Sequence, residues 1–241
     1  MLSAIKNIIL TLYILLLIGC QSNEDQKFRN DRCNIYDITI RLETISDTLK
    51  PIRNISLKYL QQGGRIDKNI IRIYNLYWEA PLQYGITIFK PTPDSYLEKF
   101  EKHNNIEIPG IYKQFLKEMN GCYIFELSLF GLTPSIYEPD MDYSYSIECY
   151  DLAAANREWK YDYKTDSGSF YFGGRTYLYN ENIGYFIDSA GVIKAVRYNG
   201  QVLNTWTSFS SFLKDEIKQA EDLMIYYMPY DEMEKLGLPV Q

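Results

Sequence analysis

The clearest pattern of hydrophobic and polar positions in the chain is a stripe of apolar residues near its middle. The stripe consists of Ile108, Ile111, Tyr112, Phe115, Leu116 and Met119. Because steps of three and four residues follow one face of an α-helix, this spacing predicts a helix over residues 109–119. Pro109 is tolerated at the first helical position, and Asn120-Gly121 supplies a left-handed end.

A period of two residues replaces the helical period after this segment. Residues 123–130 alternate, with Tyr123, Phe125, Leu127 and Leu129 on one face, which predicts one strand. Further strands are predicted over residues 170–172, 176–179, 185–188, 192–198 and 202–206. Asn199-Gly200 is a strong hairpin signal, because both turn positions favour φ > 0. We therefore expect these strands to be antiparallel.

An amphipathic helix is predicted to close the fold from Ser208 onward. The residues predicted to point inward are Phe209, Phe212, Leu213, Ile217, Ala220 and either Leu223 or Met224. The charged residues predicted to face mostly water are Lys214, Asp215, Glu216, Lys218, Glu221 and Asp222. A shorter helix is predicted after Thr92, with Thr92 as N-cap and Pro93 at the first helical position. N-terminal helices, a curled antiparallel sheet and a closing C-terminal helix define an α+β fold.

Residues 34–92 carry weaker patterns. Ile38, Ile40 and Leu42 alternate like the start of a strand. Residues 45–60 have apolar positions at helical spacing, interrupted by Pro51 and stopped by Gly63-Gly64. Residues 65–78 fit a helix or a strand, and residues 84–89 predict a short strand. We expect this region to be an extension packed on the main domain.

The first twenty residues have the pattern of a secretory signal. Lys6 precedes an apolar run over residues 8–18, which is too short to cross a membrane that requires about 20 apolar residues. The run ends in Leu17-Ile18-Gly19-Cys20, which resembles the lipobox of bacterial lipoproteins. That resemblance implies removal of residues 1–19 and acylation of the Cys20 thiol, with polar residues 20–33 as a tether. The alternative is an ordinary buried helix that happens to end in Gly-Cys.

Composition and charge narrow the function classes. Hydrophobic residues make up 46% and charged residues 23%, which excludes wholesale disorder and a coiled coil. The net charge of −6 argues against nucleic-acid binding, because affinity for phosphates comes from clustered Lys and Arg. His103 is the only histidine, so multi-histidine metal sites are excluded and a histidine-dependent hydrolase is disfavoured.

Individual motifs predict no catalytic residue, no metal site and no cofactor. Gly173-Gly174 lies between two predicted strands and lacks the Lys and the following helix of a nucleotide site. Asp140 and Asp142 resemble the start of a calcium loop, but Tyr145 stands where that loop requires Gly. His103 is predicted to lie at the end of a helix, where capping is the simpler role.

Three cysteines remain after Cys20. Cys33, Cys122 and Cys149 allow at most one intramolecular disulfide, and their spacing matches no zinc motif. We expect Cys122 and Cys149 to be small buried apolar residues.

One segment combines acids with several of the chain's 23 tyrosines. It covers residues 137–151, and its candidate partner-binding residues are Tyr137, Asp140, Asp142, Tyr143, Tyr145 and Glu148. Tyrosine buries a large area at low entropic cost, and acids steer association with a basic protein. The alternative is a solvated loop and edge strand whose tyrosines pack on the sheet.

Six motifs in order resemble the SUKH superfamily, which groups fungal Smi/Knr-type cell-wall regulators with bacterial toxin-immunity proteins. They are the Ile108-Pro109 pair with Tyr112-Lys113-Gln114-Phe115-Leu116 and Asn120-Gly121, then Phe130-Gly131, Asp151-Leu152 with Asn156, Phe172-Gly173-Gly174, Tyr185-Phe186-Ile187-Asp188, and Ser208-Phe209-Ser210-Ser211-Phe212-Leu213. The resemblance implies a SUKH domain over residues 93–225, followed by a tail over residues 226–241. It implies a binding role and carries over no catalytic residue.

Two functions are compatible with these patterns. The first is a lipid-anchored immunity-type protein that neutralises a toxin in the bacterial envelope, where the acidic net charge suits a basic toxin. The second is an envelope adaptor or structural lipoprotein without a toxin partner, and an envelope hydrolase is a distant third. Gln21 after the acylated cysteine favours the outer membrane, on its periplasmic or its outer face.

Overall fold

The computed structural model of the chain describes residues 35–67, 69–74, 84–133, 149–177 and 181–226. Within these residues, the helices are 35–43 (α1), Lys50–Leu60 (α2), Asp94–Asn104 (α3), Gly110–Glu118 (α4), Leu152–Arg157 (α5) and Phe209–Tyr226 (α6). Two 3-10 segments cover Asp47–Leu49 and Trp159–Tyr163. The strands are Gly64–Asp67 (β1), Ile70–Tyr74 (β2), Tyr84–Ile88 (β3), Cys122–Ile124 (β4), Leu127–Leu129 (β5), Phe170–Tyr177 (β6), Glu181–Ile187 (β7), Ile193–Arg197 (β8) and Val202–Trp206 (β9). The predicted α+β class is confirmed.

The described strands form one antiparallel sheet whose order is the order of the chain, β1 to β9. Helices α3 and α4 separate β3 from β4 in the sequence, but the two strands pair directly. Ile86 lies opposite Ile124, and Ile88 lies opposite Cys122. The strands before residue 93 therefore continue the same sheet as the strands after it. The proposed domain boundaries themselves stay a prediction.

The two faces of the sheet have different partners. On β6, Phe172 packs against Tyr112 of α4 and Phe212 of α6, with ring centroids 5.1 Å and 5.3 Å apart. The preceding residue, Tyr171, points the other way and stacks on Phe186 at 4.7 Å. We call the side covered by α4 and α6 the helical face, and the opposite side the groove face.

The predicted stripe on α4 forms part of the core of the helical face. Tyr112, Phe115 and Leu116 are at most 1% exposed, whereas Ile111 is 36% exposed at the edge of the stripe. The Tyr112 hydroxyl lies 2.5 Å from the carbonyl oxygen of Phe130 and joins the helix to the sheet. Burial on this scale explains why the helical spacing was a dependable signal.

The N-terminal expectation of a strand at Ile38, Ile40 and Leu42 is wrong, because these residues belong to helix α1. Ile38 and Leu42 are four residues apart and fully buried, while Ile40 is 45% exposed. Pro51 does not interrupt the following helix. It lies in the first turn of α2, where its missing N–H costs nothing.

The predicted single strand over residues 123–130 is a hairpin. Phe125 and Glu126 form a two-residue turn, and Phe125 has a left-handed φ of 53°. The turn changes which residues point inward. Cys122 and Ile124 are buried before the turn, and Leu127 and Leu129 are buried after it. Tyr123 and Phe125 are only partly buried, and the prediction failed because it placed these two aromatic residues inside.

Gly173-Gly174 does not separate two strands, because β6 continues through both residues. A Cβ atom on Gly173 would lie 2.7 Å from the carbonyl oxygen of Ser128, and one on Gly174 would lie 2.9 Å from that of Ile183. These glycines therefore allow β5 and β7 to approach β6 closely.

The predicted cap of α3 is displaced by one residue. The helix begins at Asp94 with Pro93 as its N-cap, and the Thr92 amide instead donates to the carbonyl oxygen of Leu116 at 2.9 Å. Thr92 therefore joins the start of α3 to α4.

Candidate functional site

A cavity of about 300 Å³ lies on the groove face, between β5–β7 and the 3-10 segment Trp159–Tyr163. Its aromatic lining residues are Phe130, Tyr150, Trp159, Tyr163, Tyr171 and Tyr198. Its charged lining residues are Glu126, Asp162 and Arg175. We call this cavity the groove, and it is the candidate functional site.

An asparagine holds the wall of the groove against the sheet. The Asn156 side-chain NH₂ donates to the carbonyl oxygen of Tyr171 at 2.8 Å, and the Tyr171 N–H donates back to the Asn156 amide oxygen at 2.9 Å. Asp151 caps the same helix, α5, by accepting from the Ala153 N–H at 2.8 Å. These bonds fix α5 and thereby position Trp159 and Tyr163 above β6.

The aromatic residues of the groove touch one another in a continuous row. Phe130 lies 5.7 Å from Tyr150, 6.0 Å from Trp159 and 5.2 Å from Tyr171, measured between ring centroids. Tyr163 contacts Tyr171 at 5.2 Å and, on its other side, Tyr198 at 4.6 Å. We call these six rings the aromatic wall. Rigid rings of this kind are frequent anchors in protein recognition.

The outer part of the aromatic wall is accessible. Tyr150 is 51% exposed, Tyr198 is 44% exposed and Trp159 is 36% exposed. Tyr163 and Tyr171 form the buried floor, where burial raises the pKa of Tyr171 to about 12 and that of Tyr163 well above its usual range. The floor hydroxyls therefore stay protonated at physiological pH.

Two carboxylates give the groove its charge. Glu126 is half-buried, and this burial raises the pKa of its carboxyl group. Among the residues that the structure describes, neither Glu126 nor Asp162 has an ion pair. The lining is consequently suited to a cation.

The Arg175 charge is balanced from the helical face. Its Nε donates to Glu216 of α6 at 2.8 Å, the Tyr185 hydroxyl donates to the same carboxylate, and its Nη2 donates to Gln219 at 2.7 Å. Burial lowers the pKa of Arg175, but Tyr185 and Glu216 outweigh that effect and raise it overall. Arg175 therefore adds no uncompensated charge to the groove.

The prediction that Glu216 faces water is wrong. Its side chain is 1% exposed, because the residue lies three positions after Leu213 and four before Ala220, within the buried stripe of α6. The position was visible in the helical spacing. It was missed because a glutamate was assumed to be solvated.

All of the predicted site residues lie outside the described residues. These are Cys20, Tyr137, Asp140, Asp142, Tyr143, Tyr145 and Glu148, together with Cys33. The described end of the tyrosine-rich segment meets the groove, because Tyr150 lines it. Asp151 instead caps α5. The sequence patterns did not identify Glu126, Trp159, Tyr163, Tyr171 and Tyr198, and only the high tyrosine content hinted at such a surface.

The described cysteines are structural, as expected. Cys122 and Cys149 are free and at most 5% exposed, and burial raises the pKa of the Cys122 thiol above its usual range. His103 lies exposed in the last turn of α3. In the described ranges, no three metal-ligating side chains cluster, and no helix has the length and apolar character needed to span a membrane.

The family comparison agrees with this fold. The SUKH_6 family model, described as SMI1-KNR4 cell-wall, matches residues 94–213, from the start of α3 into α6. This range includes the residues that line the groove. A comparison with curated proteins gives no match. Residues 94–213 therefore form a domain of the SUKH superfamily, the superfamily that the sequence motifs resembled.

Proposed function

We propose that this chain is a lipid-anchored, non-catalytic protein of the immunity type, which neutralises a toxin in the cell envelope by binding it. The observation that carries this proposal is the groove, a cavity lined both by accessible aromatic rings and by carboxylates that have no ion pair among the described residues. Aromatic anchors beside uncompensated charge are typical of a surface that recognises another protein.

The tyrosines on the floor of the groove and Arg175 are suited to binding rather than to proton transfer. The phenols of its floor hold their protons at physiological pH, because burial raises the pKa of both Tyr163 and Tyr171. Arg175, the buried cation among the described residues that line the groove, is engaged by Glu216 and Gln219. These groups provide contact area and hydrogen bonds, whereas a general base requires a poised proton acceptor.

The membrane anchor sets the compartment of the proposed function. Acylation at Cys20 would hold the protein at the envelope, because several acyl chains anchor stably. A protein held there meets a toxin in the periplasm or at the cell surface. Gln21 favours the outer membrane for this encounter.

Acylation is tested by replacing Cys20. The Cys20→Ala chain is expected to accumulate as an uncleaved precursor without acyl label, because the thiol is the acceptor and cleavage follows its modification. Metabolic labelling with a palmitate analogue and the mobility of the protein on a gel provide the measurement. Cys33→Ala is the matched control and should label normally, and continued labelling of the Cys20→Ala chain would contradict the anchor.

Partner binding is tested with the soluble chain from residue 21 to residue 241. We expect it to bind one protein, either captured from envelope extracts or expressed from a toxin gene beside its own gene. Co-expression is expected to protect cells from that protein. Trp159→Ala is expected to weaken this binding by about tenfold or more, because aromatic anchors carry much of an interface's energy. Tyr36→Ala, a 67% exposed aromatic residue on α1, is the control.

Three results would contradict, in turn, the proposed interface, the immunity role and the non-catalytic function. Equal loss in the Trp159→Ala and Tyr36→Ala chains would place the interface elsewhere. A specific partner whose expression is harmless would favour the adaptor function over immunity. Turnover of a cell-wall or peptide substrate without a protein partner would favour the hydrolase.

A further inference from the structure

We propose that the groove receives one arginine side chain of a protein partner, with its guanidinium on the Glu126 carboxylate and its stem against the aromatic wall. The inference rests on the proposed binding function and specifies the group that is recognised. It is carried by four features of the groove: its charge, the position of Glu126, the accessible rings and the volume.

Charge complementarity is the first step. Of the three charged residues in the lining, Arg175 is neutralised by Glu216 from the helical face. The cation of Lys160, near in sequence, is directed to the carbonyl oxygen of Ser167 at 3.2 Å. Glu126 and Asp162 remain, so a cation entering the groove meets two negative charges and, among the described lining residues, no competing positive one.

The position of Glu126 is the second step. It occupies the β4–β5 turn beside Phe125, whose ring packs edge-on against Tyr59 of α2 at 5.0 Å. A left-handed φ at a phenylalanine is costly and persists only where the surroundings fix it. The turn is therefore held by a contact to α2 while the carboxylate lines the groove.

The partial burial of the Glu126 carboxylate favours the binding of a cation beside it. Burial raises the pKa of Glu126, which means that its ionised form is disfavoured in the free protein. An opposite charge within about 4–6 Å favours the ionised form. A bound guanidinium would therefore relieve a penalty that the free groove carries.

The aromatic wall and the volume favour arginine. A cavity of about 300 Å³ is at the lower end of ligand-pocket sizes and suits one long side chain rather than a folded element. Trp159 and Tyr150 expose ring surface along it. A guanidinium is planar, stacks on such rings, is weakly hydrated and binds a carboxylate through two parallel hydrogen bonds, whereas an ammonium is a compact and strongly hydrated charge.

The test uses three capped tripeptides with Arg, Lys or Gln between two glycines. Binding is followed by the NMR shifts of the Trp159 indole N–H and the Glu126 amide in the soluble chain from residue 21 to residue 241. The Arg peptide is expected to give saturable shifts, with affinity at least about threefold above that of the Lys peptide, and the Gln peptide no saturation. Equal shifts for the three peptides, or no shifts at Glu126, would overturn the proposal.

The Glu126→Gln chain separates recognition from folding. It is expected to lose at least about tenfold in affinity for the Arg peptide, while its Tm is equal to or above that of the unmodified chain, because the substitution removes a desolvated carboxylate. Glu107→Gln, at an exposed residue outside the groove lining, is the matched control and should keep its affinity. Unchanged affinity in Glu126→Gln would overturn the proposal.

The two proposals fail in different ways. If no peptide binds while Trp159→Ala still weakens the protein partner, the arginine inference is wrong and the binding function stands. If the Arg peptide binds as expected but no protein partner exists, the immunity function is wrong and the groove remains an arginine site.

Discussion

Replacing Glu216 by alanine is expected to lower the free energy of unfolding by about 3–5 kcal/mol. The side chains of Arg175 and Glu216 are 5% and 1% exposed, so the substitution leaves a guanidinium buried beside the Tyr185 hydroxyl without its counter-charge. The resulting penalty is the cost of depriving a buried charge of the Glu216 carboxylate rather than the value of the ion pair. Urea unfolding of the single variant provides the measurement.

A double variant distinguishes these two quantities. Arg175→Met combined with Glu216→Leu removes both charges and is expected to recover most of the lost stability, because buried ion pairs are often replaced by apolar residues at little cost. A double variant that is less stable than Glu216→Ala alone would show that the ion pair itself stabilises the fold.

The second large effect is expected from Phe115→Ala, at about 3–5 kcal/mol. Phe115 is 1% exposed, and its ring lies 5.0 Å from Tyr112 and 5.6 Å from Phe209, so the truncation leaves a cavity between α4 and α6. Thermal and urea unfolding report the loss.

Ile111→Ala is the matched control on the same helix. Because Ile111 is 36% exposed, its truncation removes less buried surface. The loss in the free energy of unfolding should be markedly smaller than that of Phe115→Ala. Equal effects at the two positions would mean that the buried face of α4 is assigned wrongly.

Elements with a strong apolar period were predictable from the sequence. The limits of β9 agree residue for residue with the prediction, and the inward set of α6 is buried with Met224 at its end. The α6 prediction succeeded because one buried face of the helix determines its pattern. The β9 prediction rests on the Asn199-Gly200 turn, since only Trp206 of this strand is buried. In that turn Gly200 has a positive φ and Asn199 does not. The hairpin was therefore predicted correctly, although the expected positive φ at both turn positions was wrong.

Elements in which two periods compete were not predictable. Ile38, Ile40 and Leu42 satisfy an alternating pattern, although only Ile38 and Leu42 are buried. The β4–β5 hairpin turns at Phe125-Glu126, without the Gly or Asn that usually marks a left-handed turn residue. Its conformation is fixed by the contact between Phe125 and Tyr59, which is a tertiary contact absent from any local pattern.

The sequence predicted the types of residue in the candidate site but not its location. The sequence indicated a surface of tyrosines and acids for a protein partner, and Tyr150 is the described residue where that expectation meets the groove. Glu126, Trp159 and Tyr198 come from separate elements and are brought together by strand pairing. The six candidate partner-binding residues between Tyr137 and Glu148 and the acylation at Cys20 stay predictions, because these residues lie outside the described ranges.

The order of strands in the sheet has a consequence for folding during synthesis. Because each strand pairs with its predecessor, the sheet can grow strand by strand as the chain is made, although β3–β4 and β5–β6 are joined through helices rather than by tight turns. Helix α6 is the exception, since Glu221 accepts hydrogen bonds from Lys58 and Tyr59 of α2, more than 160 residues earlier. Until α6 is made, the apolar residues that it covers remain accessible to aggregation or to chaperones. Folding of the described part of the chain therefore finishes only when α6 reaches α2.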